Sequence, residues 1–266
     1  MFEKKISDLN VLLVEPSHTQ SKIITQELEH AGIVNISHVT YGYSALEEMH
    51  EYAPDLVISS MYFEDMTGSD LVHEIRNDAN LHEIAFMLIS SEHGFDALDP
   101  VRQAGVTAIL PKPFESHQLK RGLFNTLNMM NPEELVLDDL HADELKVLIV
   151  DDSELARNHI KRVLGGLGIT QFTEADDGAA AVPLLDAGYF DFVVTDYHMP
   201  KMDGKAFLEY IRSNSSQRSI PVLMVTSEEN DNTLAAIEQA GVSGICNKPF
   251  ETDVVKDMIC NLLSDI

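Results

Sequence analysis

At 266 residues the chain has room for two compact domains, and a hydrophobic share of 44% lets each bury a core. Eighteen basic against 44 acidic side chains leave a net charge of −26, a surface that repels nucleic acid and anionic lipid headgroups and so excludes both as partners. No apolar run reaches the length of a membrane span and Met1 to Asn10 lacks the apolar centre of a secretory signal, so the expected location is the cytoplasm.

From Val11 onward the chain is one unit written twice. Residues 11–130 overlay residues 147–266 without a gap, at a constant offset of 136. VLLV meets VLIV, Asp55 meets Asp191, and Gly68 meets Gly204. Gln103-Ala104-Gly105-Val106 meets Gln239-Ala240-Gly241-Val242, and Lys112-Pro113-Phe114-Glu115 meets Lys248-Pro249-Phe250-Glu251. The first copy is predicted as a domain over 8–130 and the second as a domain over 145–266. Between them, 131–144 is acidic, with Glu133, Glu134, Asp138, Asp139, Asp143 and Glu144; it reads as a linker or as a continuation of the preceding helix.

In the second copy, KVLIVD, FTEA, DFVVTD, IPVLMVT and GICNK are predicted strands. Continuous β-branched runs such as FVVT suit strands buried on both faces of a parallel sheet. The intervening stretches are predicted helices. Ser153 is the expected N-cap before ELARNHIKRVL, with Gly165, Gly166 and Gly168 closing that helix. Pro183 falls inside the next one and implies a kink or a late start. Cys246 and Cys260 lie in apolar surroundings and read as buried, reduced thiols. Alternating strand and helix give right-handed crossovers and a doubly wound sheet, whose ligands bind beyond the carboxyl ends of its strands.

Those ends carry Asp151 and Asp152, then Asp196, Thr226 and Lys248. Singly, each reads as ordinary surface, since an Asp-Asp pair in so acidic a chain is solvated. Together, at successive strand ends, they form a constellation. Three crowded carboxylates favour a hard divalent cation, Mg2+ or Mn2+. Asp152 and Asp196 are candidate direct ligands, Asp151 acts directly or through water, and the main-chain carbonyl of His198 is a further candidate oxygen. Asp196 can then act as a carboxylate nucleophile toward phosphorus. Lys248 and the metal would neutralise the transferred group, and the Thr226 hydroxyl can donate to a phosphate oxygen. Lys248-Pro249 is a candidate cis peptide.

Asp151-Asp152, DYHMPKMDG from Asp196 to Gly204, Thr226-Ser227 and Lys248-Pro249-Phe250 closely resemble the receiver domain of two-component response regulators, over the whole second copy. The resemblance implies a flavodoxin-like (βα)5 fold with a five-stranded parallel sheet. It implies phosphorylation of Asp196, with Mg2+ required, by a phosphohistidine donor, either a histidine kinase or a phosphotransfer protein. It implies tuning of hydrolysis by His198 and Glu228, each two positions beyond a site residue. The responding surface, and a possible dimer contact, would be the fourth helix, fifth strand and fifth helix. The pattern departs at Ile245, where the family carries an aromatic ring that moves with the threonine.

The register puts Glu15 and Pro16 at Asp151 and Asp152, Ser60 at Asp196, Ser90 at Thr226 and Lys112 at Lys248. A serine hydroxyl is not ionised and does not replace a carboxylate ligand and nucleophile. The first copy therefore resembles a degenerate receiver that keeps the fold and accepts no phosphate, with Lys112 held by Glu15 or by carbonyls. Two readings stay open: that Glu64 and Asp65 rebuild a weaker metal site, and that Tyr62 or Phe63 contacts a partner or caps the unused pocket.

The chain thus reads as a phosphoacceptor signalling protein rather than an enzyme, with an unidentified protein as target. The alternatives are a phosphorylation-independent scaffold, or the regulatory part of a longer protein with a separate output domain. An enzyme on a similar sheet is disfavoured: an aspartate-nucleophile phosphatase needs an acid where His198 stands, and no phosphate-binding loop for a flavin follows the first strand.

Overall fold

Strand and helix alternate five times in each half of the computed structural model, which describes residues 4–131, 133, 135, 141–227 and 230–264. The first half runs β1 (Asn10–Val14), α1 (His18–His30), β2 (Asn35–Val39), α2 (Gly42–Glu51), β3 (Leu56–Ser60), α3 (Gly68–Asn77), β4 (Ala85–Ser90), α4 (Phe95–Gln103), β5 (Ala108–Pro111) and α5 (Ser116–Met130). The second runs β6 (Lys146–Val150), α6 (Glu154–Gly166), β7 (Gln171–Ala175), α7 (Gly178–Ala187), β8 (Phe192–Asp196), α8 (Gly204–Asn214), β9 (Val222–Thr226), α9 (Asp231–Gln239), β10 (Gly244–Asn247) and α10 (Thr252–Ser264). The chain divides into two units, Met1–Asn131 and Pro132–Ile266.

Each unit holds one all-parallel sheet, in the order β2-β1-β3-β4-β5 and β7-β6-β8-β9-β10. This is the doubly wound, flavodoxin-like arrangement. The strand runs do not alternate because both faces of the sheet are covered. In β6, Val147 and Ile149 face one core with Leu164 of α6 and Ile259 of α10. Leu148 and Val150 face the other, with Leu185 of α7 and Phe207 of α8. All five residues of β3, β8 and β9 are buried. Asp55 and Asp191 do the same local job, accepting the backbone N–H of Asn10 at 2.8 Å and of Lys146 at 2.7 Å, so that each first strand enters its sheet in register.

Ser17 and Ser153 cap α1 and α6 through their side chains. A late start at Pro183 is not observed. Asp177 caps α7 with its side chain on the Ala180 N–H, fixing the start at Gly178, and the helix runs on through Pro183 to Ala187. The proline's missing N–H leaves only the Ala179 carbonyl without an intrahelical donor, and Ala179 is exposed to water.

Helix α5 stops at Met130, with Asn131 as its C-cap. In the stretch that follows, Leu135 is buried in the second unit's core and donates its N–H to Leu167 O at 3.0 Å, while Glu133 pairs with Lys256 at 2.7 Å. Ala142–Glu144 form a single 3-10 turn before β6. Cys246 is buried and Cys260 half-buried, both as free thiols. Burial, reinforced by Glu251, pushes the Cys246 thiol up to about 12. Among the described residues no helix is long and apolar enough to cross a membrane.

Candidate functional site

The carboxyl ends of β6, β8 and β9 and the turn after β10 bring together Asp151, Asp152, Asp196, Thr226 and Lys248. One carboxylate oxygen from each of Asp151, Asp152 and Asp196 can be chosen so that the three lie within 4.8 Å of one another. Lys248, buried among them, places its ammonium 3.0 Å from Asp151 Oδ2 and 3.1 Å from Asp196 Oδ1. Asp151 Oδ1 accepts the Ser153 N–H at 2.8 Å. Asp196 Oδ2 is buried with no hydrogen-bond partner.

The local chain shape follows from few residues. Lys248-Pro249 is a cis peptide, and the Lys248 N–H donates to Thr226 O at 2.8 Å, tying the turn after β10 to the end of β9. Gly204 opens α8 against the strand end: a Cβ there would fall 2.1 Å from Asp196 O. Its N–H donates to Tyr197 O at 2.9 Å and closes the loop that carries His198. Thr226 is fully buried at its strand end. Ile245 packs half-buried against the α7–α9 core, as an aliphatic side chain can. Glu228 lies outside the described residues.

Burial drives the Asp196 carboxyl up to about 7; the Lys248 ammonium opposes the shift and the Asp151 charge adds to it. Burial works against the Lys248 ammonium, but Asp151 and Asp196 outweigh it and hold its proton above the usual lysine range. Two buried carboxylates share one ammonium and the exposed Asp152 lies beside them, so the cluster carries net negative charge. All donors are hard oxygens that can lie within 4.8 Å of one another, and Asp196 brings an unpaired buried oxygen. These residues fit a small divalent cation. Among the described residues no other group of three potential ligands is close enough to hold one.

The equivalent place in the first unit is built differently. Glu15 is almost fully buried and accepts the Ser17 N–H at 2.9 Å, the Lys112 ammonium at 2.9 Å, and a short hydrogen bond from the Ser60 hydroxyl. Lys112 also donates to Ser60 Oγ at 3.1 Å. Burial pushes the Glu15 carboxyl up, but these three hydrogen bonds outweigh it, and the group titrates below its ordinary value. Lys112-Pro113 is cis, and the Lys112 N–H donates to Ser90 O at 2.8 Å. The turn of the second unit is thus kept. A closed Glu15–Ser60–Lys112 triangle fills the place of the open acidic cluster, and Pro16 offers no ligand.

Asp65 does not rebuild a metal site. Its two oxygens accept the N–H groups of Gly42 and Tyr43 at 3.1 and 2.8 Å, capping α2 from another loop. In the second unit that loop position is Lys201 and the cap is Asp177, which also pairs with Lys201 at 2.6 Å. In the first unit the N-cap is Tyr41, whose side chain makes no cap bond. The capping carboxylate sits in a different loop in each unit. The Tyr62 hydroxyl, in the loop after β3, donates to Glu92, in the loop after β4, at 2.9 Å. By the repeat register these two stand where His198 and Glu228 stand in the second unit. The bridge was not predicted, although the register already paired the positions. Nor was the role of Arg157, whose Nη1 donates to Asp151 O at 2.6 Å.

A family model described as response regulator receiver domain matches residues 11–123 and again 147–260. The chemotaxis protein CheY of Pseudomonas aeruginosa is 45% identical over 115 residues, 43% of this chain and 93% of the relative. CheY-3 of Vibrio cholerae is 43% identical over the same length, 88% of that relative. Among solved structures, chemotaxis response regulator CheY4 of Vibrio cholerae shares 29% identity at a TM-score of 0.41, over 44% of this chain and 98% of that one.

Proposed function

The chain belongs to the response regulator receiver domain family, twice over, and from that premise we propose that its second unit accepts a phosphoryl group on Asp196 while its first unit is a receiver without the chemistry. The observation that carries this is Asp196 Oδ2: a buried, unpaired carboxylate oxygen beside a buried lysine and two further carboxylates. Asp151, Asp152 and Asp196, with the His198 carbonyl as a further donor, would hold Mg2+ or Mn2+. That ion supplies charge neutralisation for the phosphoryl oxygens.

The chain's own groups do the rest. Asp196 forms the new O–P bond as the P–N bond to the donor's imidazole breaks, and the leaving imidazole takes up a proton from solvent. Lys248, fixed by Asp151, balances charge on the transferred group. The Thr226 hydroxyl donates to a phosphate oxygen and draws the end of β9 inward, coupling occupancy to α9, β10 and α10 as the output surface, with Ile245 in place of a moving ring. His198 and Glu228 tune loss of the phosphoryl group. The donor is a histidine kinase or phosphotransfer protein in the cytoplasm, and the output is a change in protein–protein contact, dimerisation through α9, β10 and α10 included. In the first unit, Glu15 is fully engaged by Ser17, Lys112 and Ser60, and Ser60 has no charge to offer; its role is contact rather than chemistry.

The test is the intact mass of the chain after treatment with a small phosphodonor, with and without Mg2+, followed by peptide mapping. One Mg2+-dependent phosphoryl group on Asp196 is expected, absent in Asp196→Asn and unchanged in Ser60→Ala. Phosphorylation that survives the first substitution, or is lost with the second, overturns the assignment.

A further inference from the structure

Asp151 has every polar group committed. Its N–H donates to Ala175 O at 3.2 Å, its carboxylate is shared between the Ser153 N–H and Lys248, and its carbonyl accepts Arg157 Nη1 at 2.6 Å. Arg157 sits in the first turn of α6 and reaches back over the loop that holds Asp151 and Asp152. Its Nε donates to Glu174 on β7 at 3.1 Å, and Lys161 holds the other oxygen of Glu174 at 2.6 Å. The guanidinium is a fork with one arm on a carboxylate and the other on a main-chain carbonyl.

The first unit has neither of these side chains. By the register Ser21 stands at Arg157 and His38 at Glu174. Yet the same carbonyl is held, because His38 Nε2 lies 2.9 Å from Glu15 O. A carbonyl only accepts, so the ring proton is on Nε2 and the imidazole donates. Two unrelated side chains, one on a helix and one on a strand, secure one carbonyl. The common element is the peptide plane that leads out of the strand-end acid.

We propose that Arg157 is a positioning residue of the second unit's cation site, fixing the peptide between Asp151 and Asp152 and thereby the direction in which Asp152 presents its carboxylate. The proposal rests on the reading of that site as a Mg2+ site. Asp151 and Asp196 are buried and held by Lys248, whereas Asp152 is the exposed member of the three. A trans peptide is planar, so anchoring its oxygen fixes the next Cα. In the first unit Pro16 follows Glu15, and the clamp keeps only its structural part.

Position and charge act with opposite signs. As a cation near the site, Arg157 disfavours Mg2+; as a clamp, it favours it. Calorimetric titration of the full chain with Mg2+ separates the two. Arg157→Ser is expected to weaken Mg2+ binding about 10-fold, the scale for a partner that orients a metal ligand. Arg157→Lys keeps the charge but not the fork, and is expected to weaken it as well. Arg157→Ser with Glu174→His installs the first unit's clamp and is expected to recover most of the affinity. Melting temperatures identify any variant that fails to fold, in which case Arg157→Lys and the double variant decide. Mg2+ affinity unchanged or raised in both single variants overturns the positioning role. A parent chain that takes up no Mg2+ overturns the site reading itself, and the proposal with it.

Discussion

At Glu15 a carboxylate one methylene longer takes over the contacts that Asp151 makes. Each accepts the N–H two residues on, at 2.9 and 2.8 Å, and each holds a strand-end lysine, at 2.9 and 3.0 Å. The extra reach brings Glu15 to the Ser60 hydroxyl. Glu15→Gln removes the charge from this triangle and is expected to lower stability at pH 7 by about 1.5–3 kcal/mol, the scale of hydrogen bonds to a charged group. The folded-state carboxyl titrates below its ordinary 4.5. Its contribution is therefore complete above pH 4.5 and lost as pH falls through the folded value. Urea unfolding of parent and variant at pH 7 and at successively lower pH checks this: the gap between them must narrow on acidification, and a gap that stays constant removes Glu15 ionisation as the cause. At this scale the acids, Thr226 and Lys248 could be picked out in the sequence, because each closes or follows a predicted strand of the second copy. Arg157 was not, because its acceptor is a main-chain carbonyl and leaves no mark in residue types.

The second helix of each unit shows how an element's start can be specified from two places. Asp177 caps α7 from the N-cap position, whereas Asp65 caps α2 from the loop after β3. Asp65→Ala is expected to destabilise the first unit by about 1 kcal/mol, the typical value of a cap, and adding Tyr41→Asp should restore most of it. A double-mutant cycle on denaturant midpoints measures the coupling; no cost from Asp65→Ala would mean that the loop carboxylate caps nothing. The third helix of each unit is constrained harder. A Cβ at Gly204 would meet Asp196 O at 2.1 Å, and one at Gly68 would meet Ser60 O at 2.4 Å. Gly204→Ala is expected to abolish phosphodonor labelling by displacing Asp196, while Gly68→Ala lowers stability and leaves labelling intact; intact mass and thermal melting distinguish them. The strand runs were readable because burial on both sheet faces writes continuous β-branched segments. Of the two readings at Pro183, a kink or a late start, the late start failed because the cap at Asp177, not the proline, fixes where α7 begins.

Across the whole chain, one fold was built twice and the two copies hold different charge in the same place. The proposed cation site lies wholly in the second unit, so Mg2+ is expected to raise one unfolding transition and leave the other where it was. Saturation at 100 times the dissociation constant adds about 2.7 kcal/mol to the responsive transition. Scanning calorimetry with and without Mg2+ reads this directly, and a shift of both transitions would show that the units do not unfold separately. The repeat made this architecture legible without coordinates, whereas the acidic stretch between the copies gave no pattern by which to place it. Lys112 also imposes an order on how such a pocket can be dismantled over successive substitutions. With the acid of β3 already replaced by serine, the lysine still anchors the buried carboxylate of Glu15. Losing the lysine first strands that charge in the interior, a step worse than any before it. The carboxylate must go first or the two must go together, so the lysine does not leave before its partner. A strand-end lysine before proline, kept where the acids of the cluster are gone, is then expected of a silent copy held by the same constraint.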